Sequence, residues 1–257
     1  MGTSKNRYIK KARRKRMIKR SIFILILILV ALGLFITKSN MFLIKNIEVS
    51  GNKLISKNLI VDNLQGVKGE NIFFIKSNDI KTKLKSDPYI DEISISRKFP
   101  STLKVDITEK NVAYYVKSNN GYDIISSDFI FLEKVNNLNG KDLIEITGLN
   151  SGNETLGSKY IDTKDDTRLE DFLKELYKIK QANTTKHNIT NVNVSNLNSI
   201  IVYFSTTEVR IGNGDDLVKK MNDALNILSG LKEQKVDMKN GYIDVSFEGA
   251  PVIRERK

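Results

Sequence analysis

The chain contains no cysteine and only one histidine among 257 residues. Without cysteine there is no disulfide, no thiol nucleophile and no Cys/His zinc site, so an exported domain here is held by its cores and hydrogen bonds. The lone His187 lies in the polar stretch Asn183 to Asn191, whose Asn, Thr and Lys residues offer no carboxylate to orient it as an acid or base. Acidic residues are missing from the first twenty positions, which hold ten Lys or Arg. The remainder of the chain has little net charge: of the total of +12, that tail supplies +10 and everything after it +2. The basic character therefore belongs to the tail, and a nucleic-acid-binding reading of the whole protein fails on it.

Directly after the tail stands an uninterrupted apolar run of 15 residues, Ile22 to Ile36. With its flanks Ser21 and Thr37 the uncharged segment spans about 25 Å as a helix at ~1.5 Å per residue. Lys19, Arg20 and Lys38 can snorkel from its ends, so it crosses a bilayer at the lower limit of length. A cleaved signal peptide is the competing reading, against which stand the long charged region before the run and the poor small-x-small cleavage pattern. An uncleaved anchor over 21–37 is expected. The positive-inside rule then keeps the tail, 1–20, in the cytoplasm and sends the rest across the membrane.

Past the anchor, Phe42 to Asn52 carries Ile47 and Val49 on one strand face and closes in a Gly51-Asn52 turn signal. Ser56 is a candidate cap for a short helix with Leu59, Ile60 and Leu64, and Gly66 is its stop. A second helix carries Ile80 and Leu84, capped by Ser77 or Asn78 and closed by Asp87-Pro88. Two strands follow, joined through Phe99-Pro100-Ser101-Thr102. In the second, Leu103, Val105 and Ile107 alternate with Lys104, Asp106 and Thr108, the signature of a half-buried strand. The order is βααββ.

These residues carry a resemblance. The run F-x-I-K-x-I-x-V-x-G-N from Phe42, the Asp87-Pro88-x-Ile90 motif and R-K-x-P-x-T-L-x-V-x-I-x-E from Arg97 to Glu109 resemble the POTRA domain of bacterial cell-division proteins of the FtsQ/DivIB family. Outer-membrane assembly proteins carry POTRA domains in arrays before a barrel; this sequence shows neither a repeat of the unit nor a barrel.

The region from about residue 116 to 247 reads as short apolar segments between turn residues: Asp123-Ile-Ile, Phe129 to Leu132, Leu143 to Ile146, Val192 to Val194, Ile200 to Phe204, Val209 to Ile211 and Tyr242 to Phe247. That spacing predicts a mainly antiparallel sheet. Two helices interrupt it. One runs from about Asp165 to Gln181 with Leu169, Phe172, Leu173 and Leu176 on one stripe; the other carries Leu217, Met221, Leu225 and Leu228. Asp165-Asp166 and Asp215-Asp216 stand where helix N-termini favour negative charge, so capping outweighs metal binding. Gly212-Asn213-Gly214 is not a dinucleotide fingerprint: Leu217 occupies the third glycine position, and the preceding strands do not open a βαβ unit. V-x-I-G from Val209, Lys220 with Leu225, and I-D-V-S from Ile243 also look like the β domain of the same family.

The expected architecture is thus α+β: tail 1–20, transmembrane helix 21–37, POTRA domain 42–115, β domain 116–247 and a charged end 248–257. No catalytic, cofactor or metal residue emerges, and no small-molecule substrate is implied. The resemblance implies a division scaffold at the septal membrane that binds small bitopic partners resembling DivIC and FtsL, and through them acts on septal peptidoglycan synthesis. The positions matching the family's strand-pairing region are Tyr242, Ile243, Val245, Phe247, Val252 and Ile253, which would recognise a partner by backbone pairing at a sheet edge. An ordinary edge guarded by Lys239, Glu248, Arg254 and Glu255 is the competing reading. A POTRA-bearing protein handling polypeptides in secretion or assembly is the alternative function.

Overall fold

The computed structural model describes residues 3–149, 152–161 and 166–255. Asp165, one of the expected capping residues, lies outside the described residues, as do Arg256 and Lys257. A continuous helix α1, Thr3–Lys38, joins the basic tail to the apolar run. Over Arg13–Lys38 it is long and apolar enough to cross a membrane, and among the described residues nothing buries that span. The chain beyond it divides between two compact units, one holding α1 and most of residues 42–107, the other residues 85–91 and 108 onward.

In the first unit the elements run β1 (Asn46–Ser50), α2 (Lys57–Asn63), α3 (Ser77–Leu84), β2 (Ile90–Lys98) and β3 (Thr102–Glu109). The sheet order is β1-β3-β2, with β1 parallel to β3 and Val49 opposite Val105. Leu103, Val105 and Ile107 are buried on alternate positions of β3, as the periodicity predicts. Ile60 of α2 and Ile80 and Leu84 of α3 are buried as well. Gly51 turns out of β1 at φ +84°, and a Cβ there would stand 2.1 Å from Ile107 O, so the turn admits only glycine.

The second unit is one nine-stranded sheet. Its elements are β4 (Val112–Ser118), β5 (Gly121–Ser126), β6 (Phe131–Val135), β7 (Ile144–Thr147), α4 (Arg168–Ala182), β8 (Ile189–Asn193), β9 (Ile200–Phe204), β10 (Thr207–Gly212), α5 (Leu217–Glu233), β11 (Tyr242–Asp244) and β12 (Val252–Arg254). The order across the sheet is β12-β11-β10-β9-β8-β7-β4-β5-β6. Antiparallel pairs predominate, but β4–β7, β7–β8 and β10–β11 are parallel. Parallel neighbours need a crossover: α4 carries the chain from β7 to β8, α5 from β10 to β11, and β5 and β6 stand in the chain between β4 and β7. Leu169, Phe172, Leu173 and Leu176 of α4, with Leu217, Met221, Leu225 and Leu228 of α5, are buried in one core with Val202, Val209 and Ile243.

Several local details depart from the sequence reading. Phe129 does not open a strand; it sits at φ 63°, because Ser126 Oγ accepts from Asp128 N at 3.2 Å and Ile130 N at 3.1 Å and bends the chain there. Its ring stacks on Tyr114 instead, 6.1 Å between centroids. Asp216 occupies the N-cap position of α5 in a left-handed conformation with no side-chain cap bond, so its charge acts on the helix through the dipole alone. Asp166 accepts from Arg168 N at 3.0 Å and from the Arg168 guanidinium at 2.7 Å; that arginine lowers its carboxyl to about 2.

Candidate partner-binding surface

The strand expected from Tyr242 to Phe247 ends early. Asp244 Oδ1 accepts from Ser246 N at 3.0 Å and Ser246 Oγ at 2.6 Å, a side-chain-closed turn that stops β11 after three residues. The chain then returns through Gly249 and Pro251 to form β12, which pairs antiparallel with β11: Val252 opposite Asp244, Ile253 opposite Ile243, Arg254 opposite Tyr242. The sheet therefore ends on β12, and β11 is interior.

The six expected positions fall into two groups. Ile243 and Val245 point into the core, 0% and 5% exposed. Phe247, Val252 and Ile253 lie on the surface, 47%, 46% and 43% exposed, and Tyr242 is half-buried. Tyr242 and Ile243 are on β11, Val252 and Ile253 on β12, and Val245 and Phe247 in the turn between them. Val245 still anchors that turn, its N–H donating to Arg210 O at 3.0 Å.

Two features that the sequence did not single out hold this end together. Gly241 precedes β11, and a Cβ on it would stand 2.7 Å from Arg254 O and 3.0 Å from Met238 Cε, so the close return of β12 depends on the missing side chain. Thr207 is buried and donates its hydroxyl to Met238 O at 3.0 Å, fixing the segment that enters β11 against the start of β10. Nothing in a single sequence marks either residue, because both act on backbone about thirteen to thirty positions away.

The sheet face opposite the helices carries a continuous row. In register, Tyr115, Glu145, Asn191, Tyr203, Glu208, Tyr242 and Arg254 follow one another across seven strands. Arg210 lies over the Tyr242 ring, 3.8 Å from its centroid, and approaches Glu208 at 3.6 Å. Farther along, Tyr115 donates to Glu145 at 3.1 Å and Lys117 pairs with the same carboxylate at 2.8 Å. Burial and then Glu145 push the Tyr115 phenol up to about 12, so it stays neutral and donates. The Gly212 and Gly214 turn serves packing: a Cβ on Gly212 would meet Ser246 Cβ at 3.1 Å, and one on Gly214 would meet Phe172 at 2.9 Å. Among the described residues no cluster of three or more His, Asp or Glu could hold a metal ion. What this end offers chemically is an open strand with two apolar side chains beside a polar, aromatic face, the equipment of strand pairing and shape recognition.

An apolar anchor, a βααββ unit and a large sheet with an open terminal strand together define a membrane-anchored, POTRA-bearing protein. Residues 42–110 match the family described as POTRA domain, FtsQ-type. Over 212 residues the chain is 36% identical to the cell division protein DivIB of Clostridium acetobutylicum, covering 82% of each chain. It is 32% identical over 250 residues to DivIB of Clostridium botulinum, covering 97% of this chain and 96% of the relative, and 32% identical over 216 residues to DivIB of Clostridium tetani, covering 84% and 80%. The chain belongs to the DivIB family of cell-division proteins, and its role is that of a divisome component. Relatives that match along nearly the full length do not favour the secretion or assembly alternative.

Proposed function

We propose that the protein is a non-catalytic scaffold, anchored by α1 with its basic tail in the cytoplasm and both folded units outside, and concentrated at the division septum. There it holds small bitopic division proteins resembling DivIC and FtsL and, through them, helps coordinate septal peptidoglycan synthesis. The observation that carries this reading is the free edge of β12, where Val252 and Ile253 are exposed at the end of the nine-stranded sheet. A partner strand laid along that edge would satisfy its open backbone groups, and the two apolar side chains would select the sequence added.

The test avoids Ile243 and Val245, whose burial makes any polar substitution a folding defect. Ile253→Asp, alone and with Val252→Asp, is introduced into the full chain, and the small bitopic proteins are recovered by crosslinked membrane pull-down. Loss of their recovery, with midcell enrichment of a fluorescent fusion also lost, is the expected outcome. Unchanged recovery from a folded variant means that the partner binds elsewhere.

A further inference from the structure

The apolar helix does not end in a free tether. Asn71 donates its side-chain amide to Ile36 O at 2.7 Å, and its Oδ1 accepts from Phe73 N at 3.0 Å, so one residue joins the last turn of α1 to the 71–74 turn. Residues 42–44 pair with the same segment, Ile72 N donating to Phe42 O at 2.8 Å and Ile44 N to Glu70 O at 2.9 Å. From the other side Arg97 donates to Ile72 O at 2.8 Å and Ile75 O at 3.1 Å. These bonds order four rings into a row. Phe35, on α1, meets Phe42 at 5.8 Å, Phe42 meets Phe73 at 5.2 Å, and Phe73 stacks on Phe99 at 5.0 Å.

The row is not a core. Phe99 is 56% exposed and Phe73 38%, and nearby in sequence Phe74 is 62% and Met41 52% exposed. Among the described residues, the buried ones of this unit are all Ile, Leu or Val. Exposed contiguous apolar side chains of this size mark a surface that something else covers. What covers this one is indicated by where the row starts: Phe35 belongs to the stretch of α1 whose apolar side chains are exposed along its whole length, the stretch that acyl chains must cover. Exposed Lys38 and Lys45 bracket Met41 and Phe42 in sequence, the arrangement in which ammonium groups reach headgroups while their stems and neighbouring rings lie deeper.

We infer that the Phe42–Phe73–Phe99 row, with Phe74 and Met41, beds in the interfacial layer of the bilayer that α1 crosses, holding the POTRA unit on the membrane surface. The inference rests on α1 being a membrane anchor. Headgroup and upper acyl regions suit rings that have left the protein core but are not arranged as a polar surface.

The chain contains no tryptophan, so Phe99→Trp and Phe74→Trp each introduce a single tryptophan whose emission can be excited apart from the tyrosines. The full chain is reconstituted into phosphatidylethanolamine and phosphatidylglycerol vesicles, with and without lipid brominated near the headgroup end of its acyl chains. Blue-shifted emission, loss of intensity with the brominated lipid and shielding from aqueous iodide are expected for Phe99→Trp and Phe74→Trp. Iodide-accessible emission from a chain that floats with the vesicles overturns the inference and leaves the anchor intact. Shielding from iodide without quenching by brominated lipid overturns it in favour of a protein partner. Failure of the chain to float overturns both the inference and the anchor.

Discussion

The two folded units place most of their phenylalanines differently, Phe247 of the second unit being exposed like the rings of the first. In the second unit Phe129, Phe131, Phe172 and Phe204 are buried, packed with Tyr114 and Tyr160 in one core. In the first unit the core is aliphatic, and Phe73, Phe74 and Phe99 stand outside it. Size explains part of this: a small three-stranded unit with two short helices is filled by Ile, Leu and Val, whereas the layer between a nine-stranded sheet and two helices accommodates rings. Size does not explain why the first unit has so many rings to expose. Rings that neither fill a core nor cap a helix are surface by function, and their position beside α1 gives that function a direction.

The comparison is broken most severely by one substitution made in both units. Phe172→Ala removes a ring that is 6% exposed and is expected to cost about 3–5 kcal/mol. Phe74→Ala, at 62% exposure, is expected to change stability by no more than about 0.5 kcal/mol. Denaturant unfolding of the full chain in detergent micelles measures both. Equal costs would mean that the exposed rings of the first unit carry its fold and that the sorting has no functional content.

A smaller effect is expected at the sheet's terminal strand. Gly241→Ala puts a methyl group 2.7 Å from Arg254 O, so β12 must shift, with an overpacking cost of about 1–3 kcal/mol. Amide exchange then rises in Val252 and Arg254, whose backbone groups face β11, while β9 and β10 stay protected. Should exchange rise across the whole sheet instead, β12 is integral to the fold rather than a strand added at its margin.

These elements also show what a single sequence discloses. The alternation of Leu103, Val105 and Ile107 was legible because β3 buries one face only, and the stripes of α4 and α5 because each helix meets the sheet along one side. The strand β4 was missed because Ala113 and Tyr114, adjacent in sequence, are both buried at a register shift, which erases period two. β12 has three residues, all exposed, and leaves no burial pattern to read. Resemblance placed the six expected positions on β11, on β12 and in the turn between them. Which of them face solvent depended on a turn set by the Asp244 side chain and on a glycine whose role lies in another strand's carbonyl. The bond from Asn71 to Ile36, across 35 positions, has no sequence signature either.

The smallest effect separates the units by pH. The only histidine, His187, belongs to the second unit, where burial and then the nearby Lys232 charge lower its pKa. A folded-state value below the unfolded one, about 6.5, means that the unfolded chain binds the proton more readily. The contribution of neutral His187 to stability is therefore full above that value and declines as pH falls through it toward the folded pKa. Lowering the pH from about 7.5 to 5.5 should depress the unfolding midpoint of the second unit slightly more than that of His187→Gln. The first unit, which contains no histidine, should show no difference between the two proteins over the same range. Identical pH profiles for both proteins in the second unit would mean that the His187 ring stays solvated and that Lys232 does not act on it.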